Sequence, residues 1–241
     1  MIKRIALGLV LTLFWLNPAF AKNPVLIVPG INSISQDMKD GCLVKTLQNA
    51  GIDTFTMADV GKEFSNRGQG FIQEDVKLLK QAIDEVKRRT GATKVDIVAY
   101  SRGGLVAELY TMMFGDQYQS SMEYPYIDTT GKPKKKTISN IPRYDYDINQ
   151  IIMMGTPHLG SELADIERKY ARQVKKVDEI LTKWGLHDPP DADSVGIEQL
   201  QIVSGSFYFY FGSKELHPDV RYINGNVELT ALFITLCISR I

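Results

Sequence analysis

Apolar residues in this chain fall into two kinds of pattern: short continuous runs, and longer stretches in which they return every three or four positions. The runs Pro24–Val28, Thr54–Val60, Val95–Tyr100 and Ile148–Gly155 read as strands buried on both faces, and Asp219–Ile223 fits a further one. Leu229–Ile241 reads as a last strand. Between Ile72 and Arg89 the positions Ile72, Val76, Leu79, Ala82, Ile83 and Val86 share one helical face, with charged residues opposite. A shorter helix is expected over Asp40–Ala50, stopped by Gly51, and another from Arg102 onward, where Leu105, Val106, Leu109 and Tyr110 recur at helical spacing.

Strands alternating with helices of this length predict an α/β fold, a mostly parallel, doubly wound sheet with helices on both faces. In such sheets ligands sit at the carboxyl ends of the strands. The pattern lapses between Gly115 and Tyr146, where turn formers and the run Lys132, Lys134, Lys135, Lys136 predict an exposed loop or short hairpin, either simply solvated or touching anionic lipid headgroups. Helical patches between Glu162 and Gln201, chiefly Leu163–Trp184, predict a lid-like insertion or a helix packed on the sheet. The aromatic cluster Phe207–Phe211 suits core packing or an acyl pocket.

The first residues change the compartment. Lys3 and Arg4 precede the apolar run Ile5–Leu16, and Ala19-Phe20-Ala21 supplies the small residues of a signal-peptidase site, so residues 1–21 are expected to be removed before Lys22. A dozen apolar residues are too few to span a bilayer. Export to the periplasm or beyond permits a disulfide between Cys42 and Cys237, the two cysteines, though free apolar burial is the alternative. The remainder, 22–241, suits one domain. With 28 basic and 28 acidic residues the formal charge is zero, which gives no electrostatic footprint for nucleic acid.

One stretch carries chemistry. Ala99-Tyr100-Ser101-Arg102-Gly103 follows a strand and opens a helix, with small residues two before and two after the serine, as a sharp strand-to-helix turn requires. Such a turn lifts the Ser101 hydroxyl clear of the sheet. The helix start aims free N–H groups at any anion formed there.

Three separated motifs then coincide: Leu26-Ile27-Val28-Pro29-Gly30-Ile31-Asn32-Ser33, the Ser101 turn, and Met154-Gly155-Thr156-Pro157-His158-Leu159-Gly160-Ser161. Together, over Pro24–Ser161, they resemble the α/β-hydrolase superfamily, and within it the bacterial triacylglycerol lipases and the GPI-inositol-deacylase-like and lecithin-cholesterol-acyltransferase-like groups. The resemblance implies a nucleophile at Ser101 that forms an acyl-enzyme from a small-molecule or lipid ester. It also implies an oxyanion hole from the N–H groups of Ile31 and Arg102, with Asn32 as the alternative to Ile31. It implies no cofactor and no metal, and allows transient contact with a lipid surface. Pro29-Gly30 stands where the family usually has His-Gly.

The base should follow the nucleophile and the acid in the chain. His158 belongs to a motif that the family uses structurally, His187 lies in the insertion, and His217 is left by elimination, although it precedes the strand Asp219–Ile223. Packing or surface roles are the alternatives for all three. The turn expected to carry an Asp reads Asn224-Gly225-Asn226-Val227-Glu228; Glu228, Asp191 and Asp193 are the candidate acids. The chain is therefore expected to stop short of the family's acid and histidine. An acyltransferase, or a non-catalytic lipid-binding partner protein, would share the same scaffold.

Overall fold

The computed structural model describes residues 23–33, 38–39, 41–127, 132–162, 164–165, 199–200 and 214–225. The first strand, β1 (Val25–Val28), is wholly buried, as its unbroken apolar run demands. Helix α1 (Cys42–Asn49) ends before Gly51, whose φ of 71° makes the turn toward β2 (Thr54–Thr56). That strand is shorter than the apolar run predicts. The Asp59 carboxylate accepts both the N–H and the hydroxyl of Thr56, folding Met57–Val60 into a turn, so Met57 and Val60 are buried by the turn and not by a strand.

Helix α2 (Ile72–Thr90) buries its predicted stripe, carries Glu74 and Asp75 in the first turn and Lys87, Arg88 and Arg89 in the last, and stops at Gly91 with φ 72°. Strand β3 (Val95–Tyr100) leads into α3 (Arg102–Thr111), a helix buried all round. The Gly115–Tyr146 region forms an antiparallel hairpin of β4 (Ser121–Ile127) and β5 (Pro133–Ser139). Strands β6 (Ile148–Met154) and β7 (Arg221–Gly225) complete the sheet. A turn in which Val220 N–H reaches His217 O shifts β7 two residues later than the sequence suggests.

All sheet pairings are parallel and the order is β2-β1-β3-β6-β7. The chain therefore winds outward from β1 in one direction, crosses back, and winds outward from β3 in the other. A crevice opens at the carboxyl ends where the direction reverses, between β1 and β3. Helices α2 and α3 and the hairpin cover one face, and α1 packs on the other. This is the doubly wound, parallel α/β arrangement that the sequence pattern predicts, and it fits the α/β-hydrolase fold that the motifs' resemblance implies. The expected leader 1–21, nearly all of the expected insertion 162–201, the aromatic residues 207–211, the expected strand 229–241 and the pairing of Cys42 with Cys237 lie outside what is described. No helix among the described residues is long and apolar enough to cross a membrane.

Two glycines show how closely the layers approach. A methyl group at Gly103 would run into the carbonyl of Pro29, and one at Gly104 into the Thr156 side chain. Gly91, by contrast, has open space where its Cβ would be and a left-handed backbone. Gly103→Ala should therefore cost about 3 kcal/mol by overpacking, and Gly91→Ala about 1 kcal/mol by backbone strain, in urea unfolding. Equal costs at the two sites would contradict this packing.

Candidate active site

Ser101 occupies the turn between β3 and α3 with φ 50° and ψ −127°, a backbone conformation that a residue with a side chain adopts only when its surroundings impose it. Three contacts impose it. The Ser101 N–H reaches Met154 O at the end of β6 at 2.8 Å, Gly30 backs directly onto the serine, and the Gly103 backbone lies on β1. A Cβ at Gly30 would stand 2.9 Å from that of Ser101, which explains glycine there.

The loop after β1 curls back beside the serine. Asn32 adopts φ 54° and its N–H is bonded to Arg67 O at 2.8 Å, so this donor faces the 65–68 turn. Among the described residues the N–H groups of Ile31 and Arg102 form no hydrogen bond. Both N–H groups belong to the segments next to Ser101, one in the β1 loop and one at the start of α3. Of the two residues weighed on the loop, Asn32 has its N–H engaged.

Arg102 does more than lend its backbone. Its guanidinium, fully buried, donates to Asp75 Oδ2 at 2.6 Å and to Gly70 O at 2.7 Å. Burial pushes the Asp75 carboxyl up, and Arg102 opposes that shift without cancelling it. The pair ties the first turns of α2 and α3 to the loop that holds Asn32. Sequence reasoning missed it, although the signal was present: Asp75 stands on the apolar stripe of α2, between Ile72 and Leu79. The start of α2 is held further by Gln199, whose Oε1 accepts the Ile72 N–H at 2.9 Å.

Two histidines are described, and both are engaged by residues other than Ser101. His158 pairs its Nδ1 with Glu108 Oε2 at 3.2 Å and its Nε2 with Asn224 Oδ1 at 3.1 Å, clamping the loop after β6 to α3 and β7. Glu108 lies two helical turns from Ser101, so this clamp positions the loop. An acceptor faces each ring nitrogen, which favours the protonated ring; the Glu108 bond, supported by its charge and by Asn224, raises the His158 pKa against burial.

His217, expected by elimination to be the base, is not brought to Ser101. Its ring is buried against Phe114, Tyr144 and Tyr146, at 4.6, 5.0 and 4.8 Å between centroids, and its Nδ1 accepts the Asp219 N–H at 3.2 Å. Those partners mark the amino edge of the sheet, because Phe114 follows the far end of α3 and Tyr144 bonds Ile148 at the start of β6. Ten helical residues, about 15 Å, separate that edge from Ser101. His187, Asp191, Asp193 and Glu228 lie outside the described residues. Among those described, Asp84, Asp145 and Asp147 form the grouping that could hold a metal. Lys80 and Lys87 stand 3.7 and 3.8 Å from Asp147, supplying positive charge to that group, which also belongs to the amino edge.

Two outcomes follow from this geometry. Arg102→Met should destabilise the fold by about 3–5 kcal/mol, because it leaves Asp75 buried and unpaired, whereas Arg102→Met with Asp75→Leu should recover much of that loss. His158 has a raised folded pKa, so its clamp contributes fully below about pH 6.5 and is lost as pH climbs through the folded value. Unfolding free energy should then fall by about 1 kcal/mol across that rise, and Glu108→Gln should flatten the profile. A flat profile in the parent protein would contradict the clamp.

Comparison with known proteins comes at this point. Residues 22–122, from before β1 to the start of β4, match the family model described as Lipase (class 2). A search of the curated proteins found no match. Among solved structures, phospholipase PlaB from Legionella pneumophila is 10% identical, with 84% of this chain and 38% of that chain covered and a TM-score of 0.49. Lipase 1 from Pelosinus fermentans is 13% identical, covering 67% of this chain and 48% of that one, with a TM-score of 0.41. EstA from Clostridium botulinum is 12% identical, covering 60% and 38%, with a TM-score of 0.34. The chain thus spans between about two fifths and half of the length of these structures. The chain is thus similar to the class 2 lipases over residues 22–122, the part that holds the β1 loop and the Ser101 turn at the carboxyl edge of the parallel sheet.

Proposed function

We propose that this chain is an exported serine hydrolase of carboxylic esters, acting on lipids through an acyl-enzyme on Ser101. The observation that carries the reading is the strained Ser101 backbone at the carboxyl end of β3, between the unengaged N–H groups of Ile31 and Arg102. In the reaction the Ser101 Oγ attacks the ester carbonyl carbon as its proton passes to a base. The carbonyl oxygen becomes an oxyanion held by the two N–H groups, the alcohol departs, and water then releases the acid. Among the described residues no histidine stands in the base position: His158 is engaged by Glu108 and Asn224, and His217 lies at the opposite edge. Lipid substrates are supported by the class 2 lipase match and by the exposed Tyr100 and Leu159 beside the motifs of the site. Export is supported by the leader-like residues 1–21.

Purified protein with p-nitrophenyl esters of increasing acyl length tests the proposal. Ser101→Ala should lose at least about 10³-fold in rate. Equal, background rates for the two proteins would overturn it. An alcohol acceptor added to the same assay should leave free acid as the main product; preferential formation of a new ester would replace hydrolysis by acyl transfer. His217→Ala should destabilise the protein by about 1–3 kcal/mol and leave the turnover of the folded fraction unchanged.

A further inference from the structure

The β4–β5 hairpin neither joins the sheet nor contributes to the Ser101 turn. Its register alternates two faces. Met122, Tyr124 and Tyr126 stand opposite Ile138, Lys136 and Lys134 on one, while Glu123 and Pro125 stand opposite Thr137 and Lys135 on the other. The aromatic face packs on Phe71, the residue that opens α2, with ring centroids 5.8 Å from Tyr124 and 5.5 Å from Tyr126. Lys136 lies over the same Phe71 ring at 4.6 Å and pairs with Glu74 at 2.8 Å. These contacts fix where the hairpin points. Gly70, next to Phe71, accepts a hydrogen bond from Arg102, and Arg102 follows Ser101, so Tyr126 and its partner Lys134 sit at the same edge as the nucleophile.

The turn end of the hairpin is basic. Lys132, Lys134 and Lys135 are exposed, and over residues 121–139 four lysines stand against Glu123 and Asp128, a net charge of +2 in a chain of zero formal charge. Lys135 is paired with Glu123 at 3.4 Å, with both side chains more than 60% exposed. A surface pair of that kind contributes little and exchanges readily for a phosphate oxygen. Arg67, exposed on the turn whose carbonyl holds Asn32, adds a further cation at this edge.

We propose that the basic end of β5, Lys132 to Lys135, docks on anionic lipid surfaces. Lys132, Lys134 and Lys135 meet the headgroup phosphates, and the carboxyl edge carrying Ser101, Tyr100 and Leu159 turns toward the bilayer. The charge complementarity favours an anionic bilayer, and the rigid Phe71 contact makes docking an orienting event. The orientation serves the proposed hydrolysis, while the docking stands without it.

The test uses the full-length mature chain with Ser101→Ala, so that binding is read apart from turnover. Vesicles of phosphatidylcholine alone, and of phosphatidylcholine with phosphatidylglycerol, are pelleted with it at low and high salt. Binding is expected on the phosphatidylglycerol vesicles only, weakening with salt. Lys132→Gln, Lys134→Gln and Lys135→Gln together should weaken that binding roughly a hundredfold. Circular dichroism should stay unchanged, and with Ser101 restored so should hydrolysis of a soluble short-chain ester. Equal binding to the two vesicle types, or parental binding by a folded triple variant, would overturn the proposal. Tighter binding to duplex DNA than to the vesicles would also overturn it, in favour of a nucleic-acid partner. A protein that binds as expected yet hydrolyses no ester would retain the docking and lose the proposed function.

Discussion

The contact on which this site depends is the buried ion pair of Arg102 with Asp75. It joins the first turns of two helices that pack on the same face of the sheet, and its second bond, to Gly70 O, holds the 65–70 segment in place. That segment in turn fixes Asn32 through the Arg67 carbonyl and leaves the Ile31 N–H unengaged beside Ser101. Buried ion pairs are poor sources of net stability, since two charges must leave water to form them. Here the pair acts on geometry. It converts the position of α2 into the position of the Ile31 N–H, the oxyanion donor of the proposed reaction.

Close packing supplies the remainder. The glycines at 30, 103 and 104 let the β1 loop, α3 and the loop after β6 converge on one residue, and the strained Ser101 backbone persists because all three are anchored. The His158 clamp extends the same logic to the far side, bridging α3 and β7 with an imidazole between a carboxylate and an amide. The crevice between β1 and β3 exists because the winding direction reverses there. Sequence motifs far apart along the chain thereby meet at one edge.

Much of this was legible in the sequence, for physical reasons. Continuous apolar runs can only be central strands, and the long stripe from Ile72 can only cover a sheet, so the fold class followed from periodicity. The Ser101 turn was readable because small residues at fixed offsets answer a steric need. What periodicity cannot encode is where a turn interrupts an apolar run, and so Met57–Val60 passed for strand until the Asp59 carboxylate was seen to fold it. Nor does chain order place a side chain. His217 was favoured by order and elimination, yet three aromatic rings bury it at the amino edge. Asp75 was the readable clue that passed unused, a carboxylate on an apolar face with no partner in its own helix.

The switch point of the parallel sheet, the Ser101 turn with its two proposed donors and the basic hairpin converge on the carboxyl edge of the sheet. A crystal structure of the protein treated with a p-nitrophenyl alkylphosphonate tests that convergence most directly. The account predicts phosphorus on Ser101 Oγ, with the phosphonyl oxygen about 2.7–3.1 Å from the nitrogens of both Ile31 and Arg102. Modification at any other residue, or an oxygen turned away from those two N–H groups, would contradict it.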